Sequence, residues 1–206
     1  MSSTRSVAAR RPDRAATEAA LMDAAFRLLE RDGVLAGLNL QEVADEARVN
    51  RGLIHHYFGS RRALLRAALD ARKRAFAPLV AQLHRVNPWK RGNAAFREYG
   101  RDPRYAQIVM LLALDGDEQF EPLAFLEERL ADWKRDQEAG VWTEDADHLA
   151  LLVVFDVLLY GWFVLRPSVA RQLGMSPRTL DRRILNALGR MYQAFAAEGA
   201  PSPASP

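Results

Sequence analysis

The chain reads as an all-α protein, and three observations lead there. Alternating apolar and polar runs are scarce, and no hairpin dipeptide joins two apolar stretches. Apolar residues instead recur at three- and four-residue intervals along most of the length. Helix-starting and helix-ending residues punctuate these runs, among them Gly33, Asn39, Asn50, Ser60 and the Ser176–Pro177 pair.

Residues 1–16 form a basic arm carrying Arg5, Arg10, Arg11 and Arg14. A first helix is expected from Thr17 to Asp32, with Leu21, Ala24, Ala25, Leu28 and Leu29 on one face and Gly33 as a left-handed stop. A short second helix spans Leu40 to Ala47. Asn39 caps it, and Glu42, three residues on, closes a capping box. After a tight turn at Arg48 and Val49, Asn50 caps a third helix from Arg51 to Tyr57. A fourth starts after Ser60 and runs toward Arg85, where Asn87-Pro88-Trp89 breaks it. Five more follow at Asn93–Tyr99, Pro103–Leu114, Pro122–Glu138, Glu144–Leu165 and Pro177–Ala197, then a loose tail over 199–206.

With 206 residues and 49% hydrophobic content, the chain can bury a substantial core. The absence of cysteine excludes disulfides and thiolate metal sites. Met1–Ala16 lacks an apolar segment of the secretory kind, so a cytoplasmic location is expected. Charge is uneven. Through Arg74 there are 14 Lys and Arg against 9 Asp and Glu, and the remainder has 15 against 17. A basic first third suits a polyanion. Leu149–Leu165 is nearly all apolar but falls short of a spanning length. Asp156 at its middle would cost about 2.5–3.5 kcal/mol in lipid. It is therefore read as a buried helix of a soluble protein, with no membrane partner.

The stretch VNRGLIHHYFGSR, Val49 to Arg61, carries the most chemistry. His55 and His56 are adjacent, so on a helix they point about 100° apart and cannot easily share one ion. His84 and His148 have no partner at the i,i+4 spacing of helical metal pairs. No nucleophile elbow, P-loop or dinucleotide fingerprint is present, and Ser60 reads as a helix cap. No enzymatic activity, metal or cofactor is expected. Two short helices joined by a tight turn, however, make a helix-turn-helix, whose second helix enters a DNA major groove. Val43, Ala44, Ala47, Val49 and Ile54 would pack the two helices, leaving Arg51, Leu53, His55 and His56 at outward or edge positions.

Over Leu21–Leu65, the segments LMDAAFRLLERDG, LQEVADEARVNRGLIHHYF and GSRRALL resemble the DNA-binding region of the TetR family of transcriptional regulators. Tyr57-Phe58 matches the aromatic pair that ends the family's recognition helix, and Gly59-Ser60 matches its short turn. Arg61 stands where the family has lysine, Arg48 where it favours glycine, His55 where tyrosine is common, and Leu53 where a polar residue is frequent. The resemblance implies that Gln41, Arg51, Gly52 and Leu53 face base edges, with Arg51 reading guanine through its fork. It implies phosphate contacts for Asn39, Tyr57 and Arg61, joined by His55 and His56. Arg48, in a left-handed turn that costs on the order of 1 kcal/mol, would recover this against a phosphate.

The resemblance further implies a DNA-binding domain over 17–77, then a ligand-binding and dimerisation domain over 78–198 whose last two helices pair with those of a second copy. The partners are then a double-stranded DNA operator, a small-molecule effector and a second identical chain. A stripe of Ile184, Leu185, Leu188, Met191, Tyr192 and Phe195, with Gly161 permitting close helix approach, suits that pairing. Phe96, Tyr105, Met110, Phe125, Trp133, Phe155 and Trp162 are large residues suited to an effector pocket or to ordinary core. Asp156 needs a partner inside its apolar helix, either a ligand or an arginine such as Arg183 across a dimer. The reading is a repressor released from a palindromic operator by its ligand. A ligand-dependent activator and a helical interaction module without specific DNA binding remain the alternatives.

Overall fold

A computed structural model of the chain describes residues 13–32 and 38–200. Its helices, nine among the described residues, are α1 (Arg14–Asp32), α2 (Leu40–Glu46), α3 (Gly52–Phe58), α4 (Arg61–Leu83), α5 (Pro88–Arg101), α6 (Arg104–Leu114), α7 (Leu126–Glu138), α8 (His148–Gln172) and α9 (Pro177–Phe195). The all-α expectation therefore holds. The chain forms two compact units, Met1–Ala68 and Leu69–Pro206, divided within α4. Pro78, the expected domain start, lies inside that helix. Most of the basic arm, the Gly33 stop and the end of the tail fall outside the described residues.

In the first unit, α1 begins earlier than expected because Asp13 caps it. The Asp13 carbonyl accepts from Thr17 N (2.9 Å), and its carboxylate accepts from Ala15 N (3.2 Å). The core comprises Leu21, Ala24, Ala25, Phe26, Leu28 and Leu29 of α1, Val43 and Ala44 of α2, Ile54 of α3, and Leu64, Leu65 and Ala68 of α4. Small Ala24, Ala25 and Ala44 have no exposed surface, which lets backbones approach closely at the crossings.

In the second unit, α6 and α5 pack on α8, and α5 and α8 both meet α9. Three helices depart from expectation for local reasons. α5 starts at Pro88, because proline fits the first turn and Asn87 Oδ1 caps it by accepting from Lys90 N (2.9 Å). α7 starts only at Leu126, because Phe125 is left-handed (φ 54°) and breaks the run from Pro122. α8 starts at His148, where Asp147 Oδ1 accepts from Ala150 N (3.0 Å). It continues through Pro167 to Gln172, where a left-handed Gly174 (φ 61°) terminates it.

The expectation that this apolar helix is buried requires correction. By length and composition α8 is apolar enough to cross a membrane, and 22% of its most apolar window is buried within the chain. One face, carrying Asp156, Leu159, Tyr160 and Phe163, packs inward. The other leaves Leu149, Val153 and Val157 exposed at four-residue intervals and Leu165 two such steps further on, Val157 at 64%.

Candidate functional site

The surface of the helix-turn-helix is built from its turn. α2 ends in a Schellman motif: Arg48 N–H donates to the Asp45 carbonyl (3.0 Å) and Val49 N–H to the Ala44 carbonyl (2.9 Å). This geometry puts Arg48 at φ 57°. The same motif ends α6, α7 and α8 with glycine at the equivalent place, Gly116, Gly140 and Gly174. Arg48 therefore holds a position where a Cβ is costly, with its side chain exposed. The Arg48→Gly variant is expected to raise the unfolding free energy by about 1 kcal/mol, read as a higher urea midpoint at unchanged slope.

Asn39 caps α2 by accepting from Gln41 N (2.9 Å). The expected capping box is only partly formed: Glu42 Oε1 takes the Asn39 side-chain amide (3.3 Å) instead of its backbone N–H. Asn50 Oδ1 accepts from Gly52 N (2.7 Å), one residue before the helix N-cap, Arg51. A Cβ on Gly52 would lie 3.1 Å from that oxygen, so glycine here keeps the cap uncrowded.

The side chains expected to meet DNA are exposed at Asn39, Gln41, Arg48, Asn50, Arg51, Gly52, His55, His56 and Arg61, and half-buried at Leu53 and Tyr57. Gln41 Nε2 donates to Asp45 Oδ1 (2.9 Å). His55 Nδ1 lies 3.3 Å from the Gly59 carbonyl. His56 and Tyr57 rings meet at 5.2 Å, and Arg14, expected in the flexible arm, instead opens α1 and lies over the Tyr57 ring (5.5 Å). All these groups belong to one unit.

The second unit contains a partly open cavity of about 330 Å³. Tyr105, Phe125, Trp133, Phe155 and Asp156 line it, as the sequence suggested. Three expected residues do not. Phe96 is buried in the core against Phe163 (5.0 Å between centroids), Trp162 Nε1 donates to Asp181 (2.9 Å), and Met110 of α6 lies away from the wall. Five of the six α9 stripe residues assigned to dimer pairing, Leu185, Leu188, Met191, Tyr192 and Phe195, line the cavity.

Of the two partners expected for Asp156, a ligand or an arginine, an arginine is present within its own chain: Arg129. The Arg129 fork donates to both carboxylate oxygens (2.7 and 3.0 Å). Burial pushes the Asp156 carboxyl up, and the hydrogen bond and charge of Arg129 pull it back down. Burial likewise lifts the neighbouring Tyr105 hydroxyl to about 12. A second buried cluster joins α4's end to α5 and α7. Asp132 accepts from His84 Nδ1 (2.8 Å) and Arg135 (2.8 Å), while Arg91 pairs with Asp136. Sequence spacing gave no sign of the Arg129–Asp156, Arg91–Asp136 and His84–Asp132 pairs, which lie 27, 45 and 48 residues apart.

Among known proteins, residues 21–68 match the family model described as bacterial regulatory proteins, tetR family. Comparison with curated proteins finds no match. Solved structures share the fold. A TetR family transcription regulator from Marinobacter aquaeolei VT8 is 13% identical with a TM-score of 0.64, covering 92% of this chain and 100% of its own. The fatty acid degradation regulator FadR from Bacillus halodurans is 17% identical with a TM-score of 0.60, covering 88% and 96%. E. coli NemR in its reduced form is 18% identical with a TM-score of 0.59, covering 92% and 100%. A helix-turn-helix of this geometry lies inside the segment that matches the tetR-family model, and the whole chain shares its fold with these solved transcription regulators.

Proposed function

We propose that the chain is a homodimeric, cytoplasmic repressor that leaves a palindromic operator when a small molecule enters the second unit's cavity. The observation that carries this reading is α4. This single helix supplies Leu64, Leu65 and Ala68 to the core of the first unit, and Phe76, Leu79, Val80 and Leu83 to the cavity wall of the second. A ligand that prefers another placement of α4 thereby shifts the population away from the DNA-bound form.

On the DNA side, Gln41, Arg51, Gly52 and Leu53 face base edges. Asn39, Arg48, His55, His56, Tyr57 and Arg61 meet the backbone, and Asn50 holds the turn. On the dimer side, the exposed ridge of Leu149, Val153, Val157 and Leu165 runs past Gly161. A Cβ there would meet nothing in its own chain, which leaves room for a second helix. A second copy seated on this ridge sets two recognition helices about 34–36 Å apart, or a multiple.

Footprinting on the DNA beside the protein's own gene tests binding, symmetry and copy number together. Two equal protected half-sites are expected. Arg51→Ala should weaken that complex by about 1–3 kcal/mol and relax the base preference at one position per half-site. Unchanged affinity and preference would remove Arg51 from the base-reading set.

A further inference from the structure

The cavity's chemistry narrows what enters it. Its aromatic wall is continuous. The Trp133 and Trp142 rings stack at 4.1 Å with 11° between planes, His148 stacks on Trp133 (5.5 Å), and Tyr192 meets Trp142 edge-on (5.2 Å) and Trp89 at 6.2 Å. All five rings line the cavity. Flat rings in this arrangement accept another flat ring in face or edge contact.

Most of the charge in the wall is paired with an opposite charge. Arg129 is bound to Asp156, Arg91 to Asp136, Asp132 to His84 and Arg135, and Glu98 to Arg101. Lys73 lies over the Phe125 ring at 5.6 Å. Asp156, Tyr99 and Tyr105 are all shifted toward their neutral forms by burial, so an added charge would be desolvated there as well.

Hydrogen-bonding capacity, by contrast, is left over. Among the described residues, Trp142 Nε1, Tyr192 Oη and Asn93 Oδ1 are buried without a partner, and all three residues line the cavity. Trp142 itself is 8% exposed. Its backbone is pinned against α9's end, with Thr143 N donating to the Phe195 carbonyl (3.0 Å) and Ala197 N to the Val141 carbonyl (2.9 Å). The indole N–H is therefore a fixed donor with nothing to donate to, a state that an incoming acceptor would relieve.

We propose that the cavity takes an uncharged, largely aromatic molecule whose oxygen accepts a hydrogen bond from Trp142 Nε1 and Tyr192 Oη. This rests on the effector reading of the cavity for its regulatory meaning, but the binding preference stands or falls alone. Three probes of similar shape separate the chemistry. 2-Acetylnaphthalene is neutral with an acceptor oxygen, 2-ethylnaphthalene lacks the oxygen, and 2-naphthoate carries a charge at neutral pH.

Equilibrium dialysis against the full chain should rank the ketone about tenfold or more tighter than the carboxylate and severalfold tighter than the hydrocarbon. Trp142→Phe and Tyr192→Phe keep the rings and should each narrow the gap between ketone and hydrocarbon, leaving the hydrocarbon's own affinity in place. Four results would overturn the proposal: the carboxylate binding tightest, ketone and hydrocarbon binding alike, the variants leaving the gap intact, or no probe binding at its solubility limit. DNA affinity is measured on the same samples. The expected ranking with unaltered DNA binding would sustain this ligand class and sink the effector reading.

Discussion

Replacing Arg129 by Met is expected to remove about 3–5 kcal/mol from the stability of the second unit. Asp156 is 4% exposed and holds both its oxygens on the Arg129 fork. Without that fork a carboxylate is stranded among apolar side chains, or takes up a proton. The loss should depend on pH in a defined direction. Burial already raises the folded carboxyl above its ordinary value, so the folded state binds this proton more tightly than the unfolded chain. Such a group contributes most below the unfolded value, and its contribution falls as pH rises through the folded one. Removing Arg129 deletes both influences that lower the carboxyl, so that fall moves to higher pH. Urea unfolding should find the variant less impaired at pH 5 than at pH 8. The double variant Arg129→Met/Asp156→Leu should recover most of the stability, because a well-packed apolar pair replaces a buried ion pair at little cost. A single variant with wild-type stability at both pH values would show that the bridge is energetically idle.

Ile54→Ala should cost about 2–5 kcal/mol in the first unit and abolish tight DNA binding. Ile54 has no exposed surface and is the one fully buried side chain of α3. A helix of seven residues has no stability of its own, so its orientation depends on that anchor. The second unit's core shares no residue with it, so the naphthalene probes of its cavity should bind the variant as they bind the wild type. Retention of full DNA affinity would mean that α3 is positioned by something other than its core contact.

What could be read in advance follows a physical division. The helix-turn-helix was legible because its signals are local. Asn39 and Asn50 cap within two residues, Val43, Ala44 and Ile54 follow helical spacing, and Arg48 stands where backbone geometry demands φ > 0. The ends of α7 and α8 were misread because apolar content was taken for helical extent. Phe125 is apolar yet left-handed, while Arg166 to Gln172 are mixed in polarity yet helical. The cavity was half legible. Large residues announced Tyr105, Phe125 and Phe155, but Trp142 sits in the connection between α7 and α8, residues 139–147, where no periodicity reports its direction. Asp156 declared that it needed a partner. Only the three-dimensional path of α7 could say that the partner was Arg129.

The pairing of Val141 and Thr143 with Phe195 and Ala197 closes α8 and α9 into one ring of chain, fastened at its base by backbone bonds. Tension applied to the chain beyond Ala197 would therefore load the bond from Ala197 N to the Val141 carbonyl, beside Trp142, together with the end of α9. Whatever grips the carboxyl-terminal end, from a fused domain to a degradation machine, would pull on the clasp beside the cavity.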